Sequence, residues 1–65
     1  MNKAQRDILS RIYDEITQIR DEEQDKLDNI PENLSGSSKA DQLQEGIDKL
    51  EEISGLLEEI KDGGF

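Results

Sequence analysis

The spacing of the aliphatic residues is the feature that most constrains how this chain folds. In the first half of the sequence the recurring positions are Ile8, Ile12, Ile16, Ile19, Leu27 and Ile30. In the second half they are Ala40, Leu43, Ile47, Leu50, Ile53, Leu57 and Ile60. Steps of three and four residues place side chains on one face of an α-helix. The sequence therefore predicts an all-α fold with two amphipathic helices.

The ends of the first helix are marked by a capping pattern and by the only proline. Asn2, with Gln5 three residues later, matches the pattern in which two side chains satisfy free N–H groups of the first turn. Pro31 disfavours helical geometry at the residue before it. We therefore expect helix 1 over about residues 3–29.

A turn and a second capping pattern follow. Residues 31–38 hold the proline, a glycine and three serines, a composition typical of a turn. Ser38, with Asp41 three residues later, matches the capping pattern for helix 2. We expect a turn over residues 30–37 and helix 2 over about 38–61, in a single helical hairpin. The expected turn-forming residues are Asn29, Pro31, Leu34, Gly36 and Ser38.

Two features predict that the helices pack antiparallel. Helix 1 is most apolar at its start and helix 2 at its end, and folding back brings those surfaces together. Residues 1–20 carry four basic and three acidic side chains, whereas residues 21–65 carry four basic and 14 acidic ones. We therefore expect basic residues of helix 1 to face acidic residues of helix 2, namely Lys3, Arg6 and Arg11 near Glu51, Glu52, Glu58 and Glu59.

The apolar stripes are wider than the single seam that two helices share. Each Ile or Leu left in water forgoes about 1.5–3 kcal/mol of burial, and pairing two hairpins into a four-helix bundle would cover the second face. We therefore expect a homodimer, with Ser54 and Gly55 small enough to admit a close partner helix. The expected self-association core is Ile8, Leu9, Ile12, Tyr13, Ile16, Ile19, Leu50, Ile53, Leu56, Leu57 and Ile60.

Composition excludes several classes of function. The chain has no cysteine and no histidine, which removes disulfides and nearly every zinc, haem and iron–sulfur site, so no cofactor and no metal are expected. A two-helix chain offers no enclosed pocket to tune a carboxyl group, so we expect no enzyme activity. Only two aromatic residues and a net charge of −9 disfavour direct nucleic-acid binding. With no long apolar run and no hydrophobic leader, we expect a cytoplasmic protein without membrane contact.

The most biased stretch of the sequence is acidic, and it supports a second hypothesis. On a helix, Asp21, Asp25 and Asp28 share one face, and with Glu22 they form a candidate patch for a basic protein partner. A row of carboxylates of this kind would suit an acidic inhibitor, or a nucleic-acid mimic, that binds a basic site on a host defence or nucleic-acid-processing protein. A solvated helix face and a weak divalent-cation site are the alternatives. Glu23 falls at a core position and is expected either to reach the end of the bundle or to find a partner such as Lys39 or a loop amide.

The centre of the chain carries a longer motif. It is made of Asp21-Glu22-Glu23-Gln24, then Asp28-Asn29-Ile30-Pro31-Glu32-Asn33-Leu34, and then Ser37. This string resembles a group of short acidic proteins encoded in phages and integrative elements of Gram-positive bacteria. The resemblance implies a helical hairpin in a phage or mobile-element setting, and it brings no catalytic residues. Physically, Asn29 and Pro31 would stop helix 1, while Leu34 is expected to close the hairpin end on Leu27, Ile30 and Leu43.

Overall fold

The chain forms two long helices that pack against each other. The computed structural model describes residues 1–34 and 36–63, with α1 at Lys3–Asp28, a 3₁₀ turn at Glu32–Leu34 and α2 at Ser38–Asp62. No strand occurs in these ranges. The expected all-α helical hairpin is confirmed. The molecule measures 50 × 14 × 12 Å, so it is a rod only one pair of helices thick.

The start of α1 has the expected cap. The Gln5 backbone N–H donates to Asn2 Oδ1 at 2.8 Å, and the Asn2 backbone N–H donates to Gln5 Oε1 at 3.1 Å. The helix ends at Asn29, whose N–H donates to the Asp25 carbonyl at 3.1 Å, two residues before Pro31. Both ends of α1 therefore follow from the residues that the sequence singles out.

The helix α2 begins at Ser38, as predicted, but its capping residue is Ser37 and not Ser38. Ser37 is the N-cap, and its Oγ accepts from the Ala40 backbone N–H at 3.3 Å. Ser38 is the first helical residue, and the Asp41 N–H donates to the Ser37 carbonyl at 3.1 Å. The prediction of Ser38 as the cap was wrong because two adjacent serines offer the same hydroxyl group, and only the backbone path decides between them.

The turn lies between Asp28, where α1 ends, and Ser38, where α2 begins, and it leaves Leu34 half exposed. The Leu34 N–H donates to the Pro31 carbonyl at 2.8 Å, and the Ser37 N–H donates to the Leu34 carbonyl at 3.0 Å. Within this 3₁₀ turn the Leu34 side chain is 50% exposed. The expectation that it would close the end of the hairpin was therefore wrong, although Leu27, Ile30 and Leu43 are themselves half-buried.

The core is very small and lies near the turn. Among the described residues, only Ala40 and Ile47 are buried, at 3% and 0% exposure. Both belong to the aliphatic stripe of α2, but neither was expected in the self-association core. The residues that share the seam with them are half-buried: Leu9, Ile16, Leu27, Ile30, Leu43, Leu50, Leu57 and Ile60.

The thin seam leaves much surface in water. The accessible surface is 4871 Å², whereas a compact protein of this mass would expose about 4200 Å². The radius of gyration is 15.0 Å, against about 11 Å for a compact chain of this length. The hairpin is therefore more extended, and covers less of its surface, than an ordinary small domain.

The two glycines inside α2 provide a first test. A Cβ built at Gly46 or Gly55 meets nothing within 4 Å. Because glycine lowers helix propensity by about 1 kcal/mol relative to alanine, we expect G46A and G55A each to raise the free energy of unfolding by about 0.5–1 kcal/mol. Urea denaturation followed by circular dichroism measures this. A loss of stability in G55A alone would indicate that a second helix packs closely at Gly55.

Candidate interaction surfaces

Five exposed aliphatic side chains form what we call the apolar face. On α1, Ile8, Ile12 and Ile19 are 46%, 37% and 45% exposed. At 100° per residue they fall within an arc of about 40°. On α2, Ile53 and Leu56 are 44% and 56% exposed and lie within an arc of about 60°. Each helix therefore carries an apolar strip beside its packed residues.

The two strips lie on the same side of the hairpin. On α1 the exposed isoleucines lie about 80° of helix rotation before the half-buried residues that pack against α2. On α2 the exposed residues lie about 110° before the residues that pack against α1. Because the two helices are antiparallel, an offset in the same rotational sense on each helix places both strips on the same side of the hairpin. The register of the hairpin places Ile53 level with Ile19, and Leu56 between the levels of Ile12 and Ile19. The apolar face is thus continuous across both helices.

The opposite side carries a shallow polar groove of about 270 Å³. It is lined by Tyr13, Thr17, Arg20, Glu51, Ser54, Gly55 and Glu58. Tyr13, expected in the self-association core, lies here, with Lys61 Nζ 4.6 Å from the centre of its ring. Ser54 and Gly55, which were expected to admit a close partner helix, also line this groove, on the side of the hairpin opposite the apolar face.

Arg20 connects the two helices across the polar groove. Its Nε and Nη2 donate to Glu51 Oε1 at 3.3 and 3.1 Å, and its Nη1 donates to Asp21 Oδ1 at 3.2 Å. Two hydrogen bonds raise the pKa of the Arg20 guanidinium, and the bond to Glu51 has a larger effect than the bond to Asp21. Lys3 was expected to lie near the acidic residues of the second helix, and this expectation was wrong. The register brings Arg20, and not Lys3, level with Glu51. Lys3 Nζ pairs with Asp7 at 3.1 Å within α1.

The acidic stretch lies on the outer surface of α1. Its proposed members, Asp21, Glu22, Asp25 and Asp28, are all exposed. Several bind neighbours on the same helix: Gln18 Nε2 donates to Glu22 at 3.3 Å, and Gln24 Nε2 donates to Asp28 at 2.9 Å. Within residues 1–34 and 36–63, no group of three acidic side chains is placed to hold a metal ion.

Glu23 finds a partner, but a different one from that expected. Its side chain is 26% exposed, and Lys26 Nζ lies 2.7 Å from Glu23 Oε1. This hydrogen bond raises the pKa of Lys26. The expected Lys39 is not the partner, because a lysine one turn further along α1 reaches the carboxylate without crossing the turn.

Charge is distributed very unevenly along the rod. We call residues 1–20 and 53–65 the open half, because α1 begins and α2 ends in this part of the sequence, and we call residues 21–52 the turn half. The open half carries five basic and six acidic side chains, a net charge of −1. The turn half carries three lysines and 11 acidic side chains, a net charge of −8. All five residues of the apolar face belong to the open half.

Comparison of the chain with protein-family models, curated proteins and solved structures finds no match. In the described part of the chain, neither α1 nor α2 combines the length and the apolar character required to cross a bilayer. The two faces of the hairpin and its charge are therefore the features that bear on function.

The Arg20–Glu51 pair generates a prediction about salt. A raised arginine pKa stabilises the fold at every pH below the ordinary pKa of arginine, and this stabilisation is lost only above it, so a change of pH near neutrality does not affect it. Salt does, because the Arg20 and Glu51 side chains are 32% and 53% exposed to solvent. We expect R20Q to lower the urea midpoint in 20 mM salt, and the difference from the unsubstituted chain to shrink in 1 M salt.

R11Q is the matched control for this measurement. Arg11 is exposed on the same helix and lies within salt-bridge distance of none of the described carboxylates. The R11Q substitution removes the same charge as R20Q without removing a hydrogen bond between the helices. Equal midpoint shifts for R20Q and R11Q would show that net charge, and not the link to α2, accounts for the effect.

Proposed function

We propose that this protein is a small, non-enzymatic interaction module that self-associates through its apolar face into a homodimeric four-helix bundle. The observation that carries the proposal is the continuous strip of five half-exposed aliphatic side chains on one side of the hairpin. Large exposed apolar patches on small proteins mark surfaces that meet another molecule. A second copy of the chain presents the same strip, so a symmetric pairing covers both at once.

The small core makes association important for stability. Among the described residues only Ala40 and Ile47 are buried, and chains of this size gain little stability from a single core. Joining two hairpins face to face converts the seam of two helices into the interior of four. The dimer would then bury both the half-exposed residues of the apolar face and the half-buried residues at its margin, such as Ile16 and Ile60.

The biological setting that we propose is a phage or mobile element. The resemblance of the segment from Asp21 to Ser37 to short acidic proteins of that origin supports this setting. The motif lies in the turn half, where it ends α1 at Asn29 and caps α2 at Ser37. Its residues therefore have a structural role in the hairpin whichever surface the protein uses.

A second candidate function is an acidic inhibitor that occupies a basic site on another protein, in the manner of a nucleic-acid mimic. The supporting observation is that Asp21, Asp25 and Asp28 are exposed on the surface of α1 that faces away from α2, within a half of net charge −8. This surface is separate from the apolar face. The two candidates therefore use different residues, and substitutions can separate them.

The apolar face is tested by two leucines of nearly equal exposure. Leu56, on the face, is 56% exposed, and Leu34, in the turn, is 50% exposed. Sedimentation equilibrium of the unsubstituted chain should give twice the chain mass, dissociating on dilution. We expect L56S to raise the dimer dissociation constant about tenfold or more, because the contact is lost in both copies. L34S should leave the constant unchanged.

This pair of variants also defines the contradicting result. A monomer at every concentration would refute self-association. Equal weakening by L34S and L56S would show that the association does not use the apolar face. Circular dichroism of both variants confirms that any change in mass is not a loss of helix.

The acidic candidate is tested by removing three carboxylates while retaining their size. We expect the D21N/D25N/D28N variant to keep the dimer dissociation constant, because these residues lie away from the apolar face. If the acidic surface is a binding site, the variant should bind an arginine-rich peptide several-fold more weakly than the control D14N/D41N/D48N, which has the same net charge. Equal affinities would show that only total charge matters and would eliminate the acidic site.

A further inference from the structure

The apolar face is not centred on the rod, and this offset determines how a second copy can dock. Its residues run from Ile8 to Ile19 on α1 and are matched by Ile53 and Leu56 on α2. Their centre is level with about residue 14 of α1. On the same side of the turn half, helix rotation places Glu22, Lys26 and Lys49 in place of aliphatic residues. Two copies that pair their apolar faces must therefore overlap through their open halves.

Building on the proposed dimer, we infer that the second copy docks antiparallel and staggered, so that the open halves overlap and the two turn halves project from opposite ends. Two arrangements of the copies bring their apolar faces into full contact. In the parallel arrangement both turns lie at one end of the dimer. In the antiparallel arrangement they lie at opposite ends. Charge decides between them.

The parallel arrangement places two strongly acidic halves side by side. Each turn half has a net charge of −8, and packed helices lie about 10 Å apart. This distance is comparable to the Debye length of about 8 Å at physiological salt, so the repulsion is only partly screened. In the antiparallel arrangement the two turn halves are tens of ångströms apart, well beyond that length, and they do not repel each other.

In the antiparallel arrangement the two-fold axis lies level with about residue 14, at the centre of the apolar face. The first turn of α1 in one copy, which holds Lys3 and Arg6 and no acidic residue, then comes level with residues 22–25 of α1 in the other copy. The acidic half of each copy therefore overlaps the less acidic end of its partner and not a second acidic half.

The absence of cysteine from the chain allows single spin labels to be attached without removing native residues. Gly36 is exposed in the turn, and a Cβ there meets nothing within 4 Å, so G36C is accommodated. From a rise of 1.5 Å per residue, labels at position 36 in the antiparallel dimer lie about 50 Å or more apart. In the parallel dimer they lie within about 25 Å. Double electron–electron resonance measures both distances.

E15C is the companion variant, because Glu15 is exposed and nearly level with the proposed two-fold axis. Labels there lie within about 30 Å in either arrangement. A short E15C distance with a long G36C distance supports the inference. Short distances in both overturn the inference while leaving the dimer intact.

Absence of coupling in both variants has a separate meaning. With a monomeric mass in sedimentation equilibrium and unchanged circular dichroism, it overturns the proposed dimer itself, and the apolar face is then the docking site of a different protein. Failure of the antiparallel arrangement and failure of self-association are therefore distinguishable in one pair of labelled variants.

Discussion

A pair of helices shares one seam, and this limit governs the rest of the molecule. Each helix of the chain has an apolar stripe broader than a seam can cover, so packing α1 on α2 necessarily leaves part of both stripes exposed. Within residues 1–34 and 36–63 the result is two buried residues, a set of half-buried neighbours and five half-exposed aliphatic side chains on one side. The position of that exposed strip follows from the direction in which both stripes extend beyond the seam.

The register of the hairpin depends on the turn and on one charged link. The turn holds its path through successive backbone bonds from Leu34 to Pro31 and from Ser37 to Leu34. It brings Arg20 level with Glu51, where the guanidinium donates twice to one carboxylate oxygen. That register also places Lys61 over Tyr13. The polar groove on one side of the hairpin and the apolar face on the other side therefore both result from this register.

Local signals in the sequence were sufficient for the elements, whereas contacts across the hairpin were not predictable in the same way. The cap at Asn2 and the stop before Pro31 depend on residues within a few positions, and both are as predicted. Ile47 was missed as the most buried residue because every position of its stripe carries a similar aliphatic side chain. Only the register of the hairpin decides which residue of that stripe is fully covered by α1. Arg20 was missed for the same reason, since nothing local relates it to Glu51.

The order of charges along α1 is unfavourable for an isolated helix. Its first turn holds Lys3 and Arg6 without an acidic residue, and its last turns are acidic, with Lys26 as the basic exception. The helix dipole favours the reverse order by a few tenths of a kcal/mol per charge. The second helix has no clear order of charge at its ends, since Lys39 accompanies Asp41 in its first turn and Glu59 and Asp62 accompany Lys61 in its last. The inverted order of α1 therefore concentrates acid at the turn and leaves the open half nearly neutral. That separation keeps the apolar face in the part of the rod where a second copy meets the least repulsion.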